Sequence, residues 1–102
     1  MSIVEPLGVS ERRIADFCEK WRIVEFAVFG SALRDDFRPD SDVDVLVTFA
    51  PDGTHSLFDL VEMECELSRA FGRKVDLIDR QALANPFRRQ EILRTRKVVY
   101  AA

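Results

Sequence analysis

Histidine occurs once in this chain, at position 55, and cysteine twice, at 18 and 65. Neither cysteine has the spacing of a metal ligand, and both fall in helix-like segments. They read as buried thiols of a reducing cytosol rather than a disulfide or a zinc site. No run is long and apolar enough to cross a membrane. The opening MSIVEPLGVSERR has no charged stretch followed by an apolar one, so it does not read as a secretory signal. Together these absences predict a cytoplasmic protein. Internal repeats, low-complexity tracts and long linkers are missing as well. With 102 residues, 47% of them hydrophobic, the chain reads as one compact domain over 1–102. The net charge of −3 argues against direct binding of nucleic acid.

What charge there is lies unevenly. Asp35, Asp36, Asp40, Asp42 and Asp44 crowd one loop and strand, while Arg88, Arg89, Arg94, Arg96 and Lys97 crowd the C-terminal end. Ser10 can cap a helix over Glu11–Trp21, with Ile14, Phe17, Cys18 and Trp21 at helical spacing. Ile23–Phe29 is rich in β-branched and aromatic residues and reads as a central strand. Gly30-Ser31 breaks it, and Ser31–Asp36 predicts a turn or two of helix. Asp42–Phe49 reads as a second strand, followed by a turn at Pro51-Asp52-Gly53. Ser56–Phe71 shows helical spacing and stops at Gly72. Arg73–Asp79 is a third strand. Asn85-Pro86 starts a last helix to about Arg94, and Lys97–Tyr100 a short edge strand. Alternating helices and strands predict a small α/β or α+β sandwich, with helices packed on a sheet.

The chemistry concentrates in one stretch. Gly30-Ser31 is followed by ten residues and then by Asp42-Val43-Asp44. Residues two apart on a strand point the same way, so Asp42 and Asp44 set two carboxylates side by side, opposite Val43, Val45 and Val47. Asp76, between Val75 and Leu77, joins them if the third strand neighbours the second. Two carboxylates 4 Å apart repel by roughly 4 kcal/mol at an effective dielectric near 20. A small domain has only about 5–15 kcal/mol of total stability, so the cluster implies a counter-ion. Hard oxygen donors select Mg²⁺ or Mn²⁺. Two such ions about 4 Å apart activate a hydroxyl and steady a leaving pyrophosphate. Gly30 lets the backbone approach a phosphate, and the amides and hydroxyl of Ser31 can donate to it. Each piece alone is ordinary. A Gly-Ser is usually a turn, and an Asp-x-Asp is often a solvated face. In this order, on these elements, they read as a site for metals and a nucleoside triphosphate.

The stretch Phe29-Gly30-Ser31-Ala32-Leu33-Arg34, with Pro39-Asp40-Ser41-Asp42-Val43-Asp44-Val45-Leu46-Val47, resembles the signature of polymerase-β-like nucleotidyltransferases. Length, Gly72-Arg73-Lys74-Val75-Asp76-Leu77, and Glu91-Ile92-Leu93 with Val99-Tyr100 are similar to its minimal (MNT) group. The resemblance covers about residues 26–100. It implies a mixed sheet of three to four strands and a protein adenylyltransferase. Such enzymes move AMP from ATP to a hydroxyl, that of a tyrosine, on a HEPN ribonuclease-type toxin, and so act as its antitoxin. It also implies roles. Gly30 and Ser31 would hold the triphosphate, and Asp42 and Asp44 both metals. Asp76 would hold the catalytic metal and help deprotonate the acceptor, while Ser41 and Arg34 would support the loop or the phosphates. Asp35 departs from the glycine common after that arginine.

Two other functions compete. The domain could neutralise a partner by binding alone, or modify a small molecule such as an aminoglycoside, or a nucleic-acid end. The chain leaves little room for an acceptor site, so a hetero-oligomer or homodimer is expected. Asp79 rivals Asp76 but falls on the opposite strand face. His55 precedes a helix and reads as an entry contact.

Overall fold

The computed structural model describes residues 7–33, 41–53 and 55–102. Four strands form one sheet in the order β3-β2-β1-β4. Strand β1 is Ile23–Phe29, β2 Val43–Phe49, β3 Val75–Asp79 and β4 Lys97–Ala101. β1 pairs antiparallel with both β2 and β4, whereas β2 and β3 run parallel. The parallel pair needs a crossover connection, and helix α2, Leu57–Phe71, supplies it. Helices α1, Glu11–Trp21, and α3, Pro86–Thr95, complete the α+β sandwich.

Local chemistry sets the helix ends. Ser10 Oγ accepts from the Arg13 amide at 3.1 Å, capping α1. Ser56 and Asp59 form a reciprocal capping box on α2, and Gly72, at φ +67°, closes it. Asn85 Oδ1 accepts from the Phe87 and Arg88 amides, ahead of Pro86 in the first turn of α3.

The main core lies on the sheet face covered by α1 and α2. It joins Ile14, Phe17 and Cys18 to Phe26, Val28, Val43, Val45, Val47, Met63, Leu67 and Val75. A β-bulge between Ile23 and Glu25 lets Ile23 share that face with Phe26 and Val28, against the simple alternation of a strand. A smaller cluster of Phe29, Leu46, Leu83 and Ile92 covers part of the other face. Both sides of β1 are thus buried towards its end, as its composition predicts.

One sheet edge is closed by side chains. On β3 the Val75 amide donates to Ser68 Oγ at 3.0 Å and the Leu77 amide to Glu64 Oε2 at 3.2 Å. Two residues one turn apart on α2 therefore occupy two outward donors of the edge strand.

Cys18 is buried as expected, and burial, with the charge of Glu19, pushes its thiol up to about 12. It is an inert core group. Cys65, read from sequence as buried, is exposed on the outer side of α2. Helical spacing alone did not distinguish that side from the inward one carrying Met63 and Leu67.

Trp21 ties α1 to α2, its indole N–H donating to Glu66 Oε2 at 3.0 Å with Lys20 alongside at 3.3 Å. Burial pushes the Glu66 carboxyl up. The Trp21 and Lys20 hydrogen bonds and the charges of Lys20 and Arg13 outweigh it and hold the group below its ordinary 4.5. A carboxyl depressed in the folded state stabilises the fold above its unfolded pKa and stops doing so as pH falls through the folded one. Glu66→Gln should therefore lower Tm at neutral pH and flatten its decline below about pH 4.5, as melting curves across pH 3–7 will test.

Candidate active site

Three neighbouring strands bring the predicted residues together. β2 and β3 lie in parallel register with Asp44 directly beside Asp76. Adjacent strands are about 4.8 Å apart, so the two carboxylates leave the same face from neighbouring positions. Asp42 lies two residues before Asp44, just ahead of β2, and is exposed. The next pair along the same face is Leu46 beside Ile78, part of the apolar layer under α3. The carboxylates begin where that layer ends.

On the other side of β2, Asp44 is paired with Phe29, the last residue of β1. Gly30 follows at φ +71° and opens a 3₁₀ turn, Gly30–Leu33. A Cβ at Gly30 would collide with Asp44 Oδ2 and come within 3.3 Å of Asp44 Cγ. Glycine is thus required here twice, by the left-handed backbone and by the carboxylate packed against it.

Asp44 and Ser41 are half-buried, and Asp76 is exposed. Ser31 lies in the turn, but its side chain is outside the description, as are Arg34 and the loop aspartates Asp35, Asp36 and Asp40. Among the described residues no three histidine, cysteine or acidic side chains close on a point that could hold a metal ion. The three aspartates are aligned rather than converged, and the exposure of Asp42 and Asp76 lets water screen their repulsion. Donor type and shared face fit a hard divalent cation. His and Cys contribute nothing to that face.

Asp79 lies on the opposite face of β3, and its Oδ1 accepts from the Gln81 amide at 3.0 Å, capping the turn after the strand. His55 packs against the Phe49 ring at 4.2 Å, as a helix-entry contact. Neither belongs to the carboxylate group.

The sequence crowds its basic residues at the C-terminal end without placing them. In the structure three of them wall a cavity of about 560 Å³ with Phe29, Gly30, Leu33, Glu91, Ile92 and Thr95. They are Arg94, Arg96 and Lys97. The sequence signal was their density, but nothing local said they would meet Gly30.

Residues 11–99 match the model of the nucleotidyltransferase domain family. The chain is 35% identical to "Protein adenylyltransferase MntA" of Thermococcus cleftensis over 82 residues, 80% of this chain and 78% of that protein. A solved structure described as a "putative minimal nucleotidyltransferase" superposes with a TM-score of 0.74 at 32% identity, covering 95% of both chains. A toxin–antitoxin structure with AMP-PNP shares the fold, with a TM-score of 0.75 at 22% identity over 92% of this chain and 75% of that one. The chain belongs to the nucleotidyltransferase domain family and is a nucleotidyltransferase of its minimal group.

Proposed function

We propose that this protein is a protein adenylyltransferase that moves AMP from ATP to a tyrosine hydroxyl on a HEPN ribonuclease-type toxin. In that role it is the toxin's antitoxin and works in the cytoplasm as a single minimal domain, residues 1–102. The observation that carries the reading is the in-register pair Asp44 and Asp76 beside Gly30. The relative's name supplies the reaction class. The toxin–antitoxin neighbour supports a protein acceptor.

Asp42, Asp44 and Asp76 would hold the divalent metal, Mg²⁺ or Mn²⁺, as two ions. Bound there, it neutralises phosphate charge and makes the acceptor hydroxyl more acidic. The rest is done by the chain. The Gly30-Ser31 amides receive the triphosphate, with Ser41 and Arg34 supporting that loop. Asp76, on the outermost of the three strands, takes the proton from the acceptor hydroxyl. The acceptor oxygen bonds to the α-phosphorus while the bond to the α,β-bridging oxygen breaks. Pyrophosphate leaves with that electron pair.

Leu57 and Phe58, at the start of α2, are 76% and 86% exposed. Large exposed apolar residues side by side suit a protein partner better than a small-molecule acceptor, so a hetero-oligomer is expected.

The test is the intact mass of the protein encoded beside this one, co-expressed with the wild type and with Asp42→Ala. The expected result is a partner heavier by whole AMP units with the wild type alone. An unmodified partner that still co-purifies would replace the reading with neutralisation by binding. If no partner is found, the small-molecule acceptor takes its place.

A further inference from the structure

Helix α3 is largely bare. Of its ten residues only Ile92 is buried, and Leu93 is half-buried beside it. They pack with Phe29, Leu46 and Ile78, so α3 lies on the sheet face that carries Asp44 and Asp76. A helix this short draws its stability from packing rather than from propensity, yet α3 packs on this chain through little more than those two residues.

Its outer surface breaks two local rules. Phe87, a large apolar side chain, is 84% exposed. Arg88 and Arg89 follow it, also exposed, and among the described residues no carboxylate lies within ion-pair distance of either. The first turn holds no acid, so two cations sit where the helix dipole favours negative charge. Arg94, one turn from the other end, is by contrast balanced by both oxygens of Glu91 at 2.8 Å.

A shallow groove of about 370 Å³ runs along the same helix, lined by Pro86, Arg89, Gln90, Leu93 and Arg94. Residues three and four apart share one side of a helix. Pro86 and Leu93 give the groove apolar surface, and Arg89 and Arg94 give it positive charge. Exposed aromatic and arginine side chains are the types that protein interfaces enrich. The charge then specifies the partner, because unpaired arginines call for carboxylates. RNA suits this surface less, since the aspartates on the same face and the net charge of −3 repel a polyanion. A second copy would set the same arginines against each other.

We propose that the outer surface of α3, from Phe87 to Arg94, docks the protein that accepts AMP, through an acidic segment of that protein bearing an apolar side chain. The proposal rests on the adenylyltransferase reading above. It seats the partner on the sheet face of Asp44 and Asp76, where the acceptor hydroxyl has to arrive. Carboxylates of the segment meet Arg88 and Arg89, and its apolar side chain enters the groove. Helix α3 then sets affinity for the acceptor protein and leaves affinity for ATP alone.

Binding of the protein encoded beside this one is measured by calorimetry on the wild type, Phe87→Ser and the pair Arg88→Glu/Arg89→Glu. The pair Arg12→Glu/Arg69→Glu, at exposed positions on α1 and α2, is the control of equal charge. Both test variants should bind that protein about tenfold more weakly, the scale of one interface anchor, with Mg-ATP affinity unchanged. The Arg88/Arg89 variant should melt no lower than the wild type, since acids suit the first turn of a helix. Its deficit should shrink as salt rises from about 0.1 to about 1 M. Unchanged partner binding in both variants would overturn the assignment, as would a wild type that does not bind its neighbour. An equal loss in the control would replace it with an effect of net charge. Poly-uridylate held by the wild type and released by the Arg88/Arg89 variant would make RNA the occupant, and a wild-type dimer split by that variant would make it a second copy. A neighbour that binds through α3 yet never gains AMP would defeat the adenylyltransferase reading and leave the docking surface in place.

Discussion

Asp44→Asn and Asp76→Asn should each reduce AMP transfer by about a thousandfold or more, the scale seen when a group stabilising transition-state charge is removed. Asp79→Asn should leave it within a few-fold. The contrast is sharp because the three carboxylates are so similar locally. Asp76 and Asp79 share one short strand, three residues apart, and differ in the face they take. Asp44 and Asp76 are lateral neighbours on one face, so each substitution would remove a donor from the proposed cation site. Asp79 instead caps the turn that follows, through the Gln81 amide. Its loss is that of a single cap, about 1 kcal/mol of stability. The measurement is initial-rate transfer of labelled AMP to the co-purified partner, with Tm recorded for each variant. Full activity in Asp76→Asn together with a dead Asp79→Asn would mean that the third ligand was assigned to the wrong face.

Gly30→Ala should disable the enzyme and destabilise it at once. Its backbone sits at φ +71°, where a side chain costs about 1–2 kcal/mol. The added carbon would also strike the Asp44 carboxylate, and a displaced Asp44 would leave its place beside Asp76 in the proposed cation site. We expect Tm to fall as for a loss of roughly 1–3 kcal/mol, and AMP transfer to fall by about a hundredfold or more. Gly72→Ala is the control. Gly72 has a similar φ, +67°, but nothing stands within 4 Å of a Cβ built there. It should cost stability by the backbone term alone and leave transfer intact. Equal effects of the two substitutions on transfer would remove the role given to the Gly30–Asp44 contact.

Much of this site was legible residue by residue because its signals are local. Strand alternation alone sets Asp42 and Asp44 on one side and Val43, Val45 and Val47 on the other, and those three valines are fully buried. Ser10, Ser56 and Asn85 cap helices through contacts two or three residues away, within reach of any sequence reading. The expected strand at Arg73–Asp79 begins two residues later, at Val75, since Arg73 and Lys74 serve to leave the helix end at Gly72.

The chain by itself determined which residue types are present and which neighbours along an element share a side. That sufficed for the element order, the carboxylate pair, the Gly-Ser break and the family resemblance. Tertiary structure decided what depends on residues far apart in sequence. It set β3 beside β2 in parallel and in the register that pairs Asp44 with Asp76. It pressed Asp44 against Gly30, turned Cys65 outward, and folded the chain's basic end back to face the Gly30 turn. Register and strand order come from burying two apolar layers at once, against the entropy of closing the connections between them. No window of a few residues contains that balance.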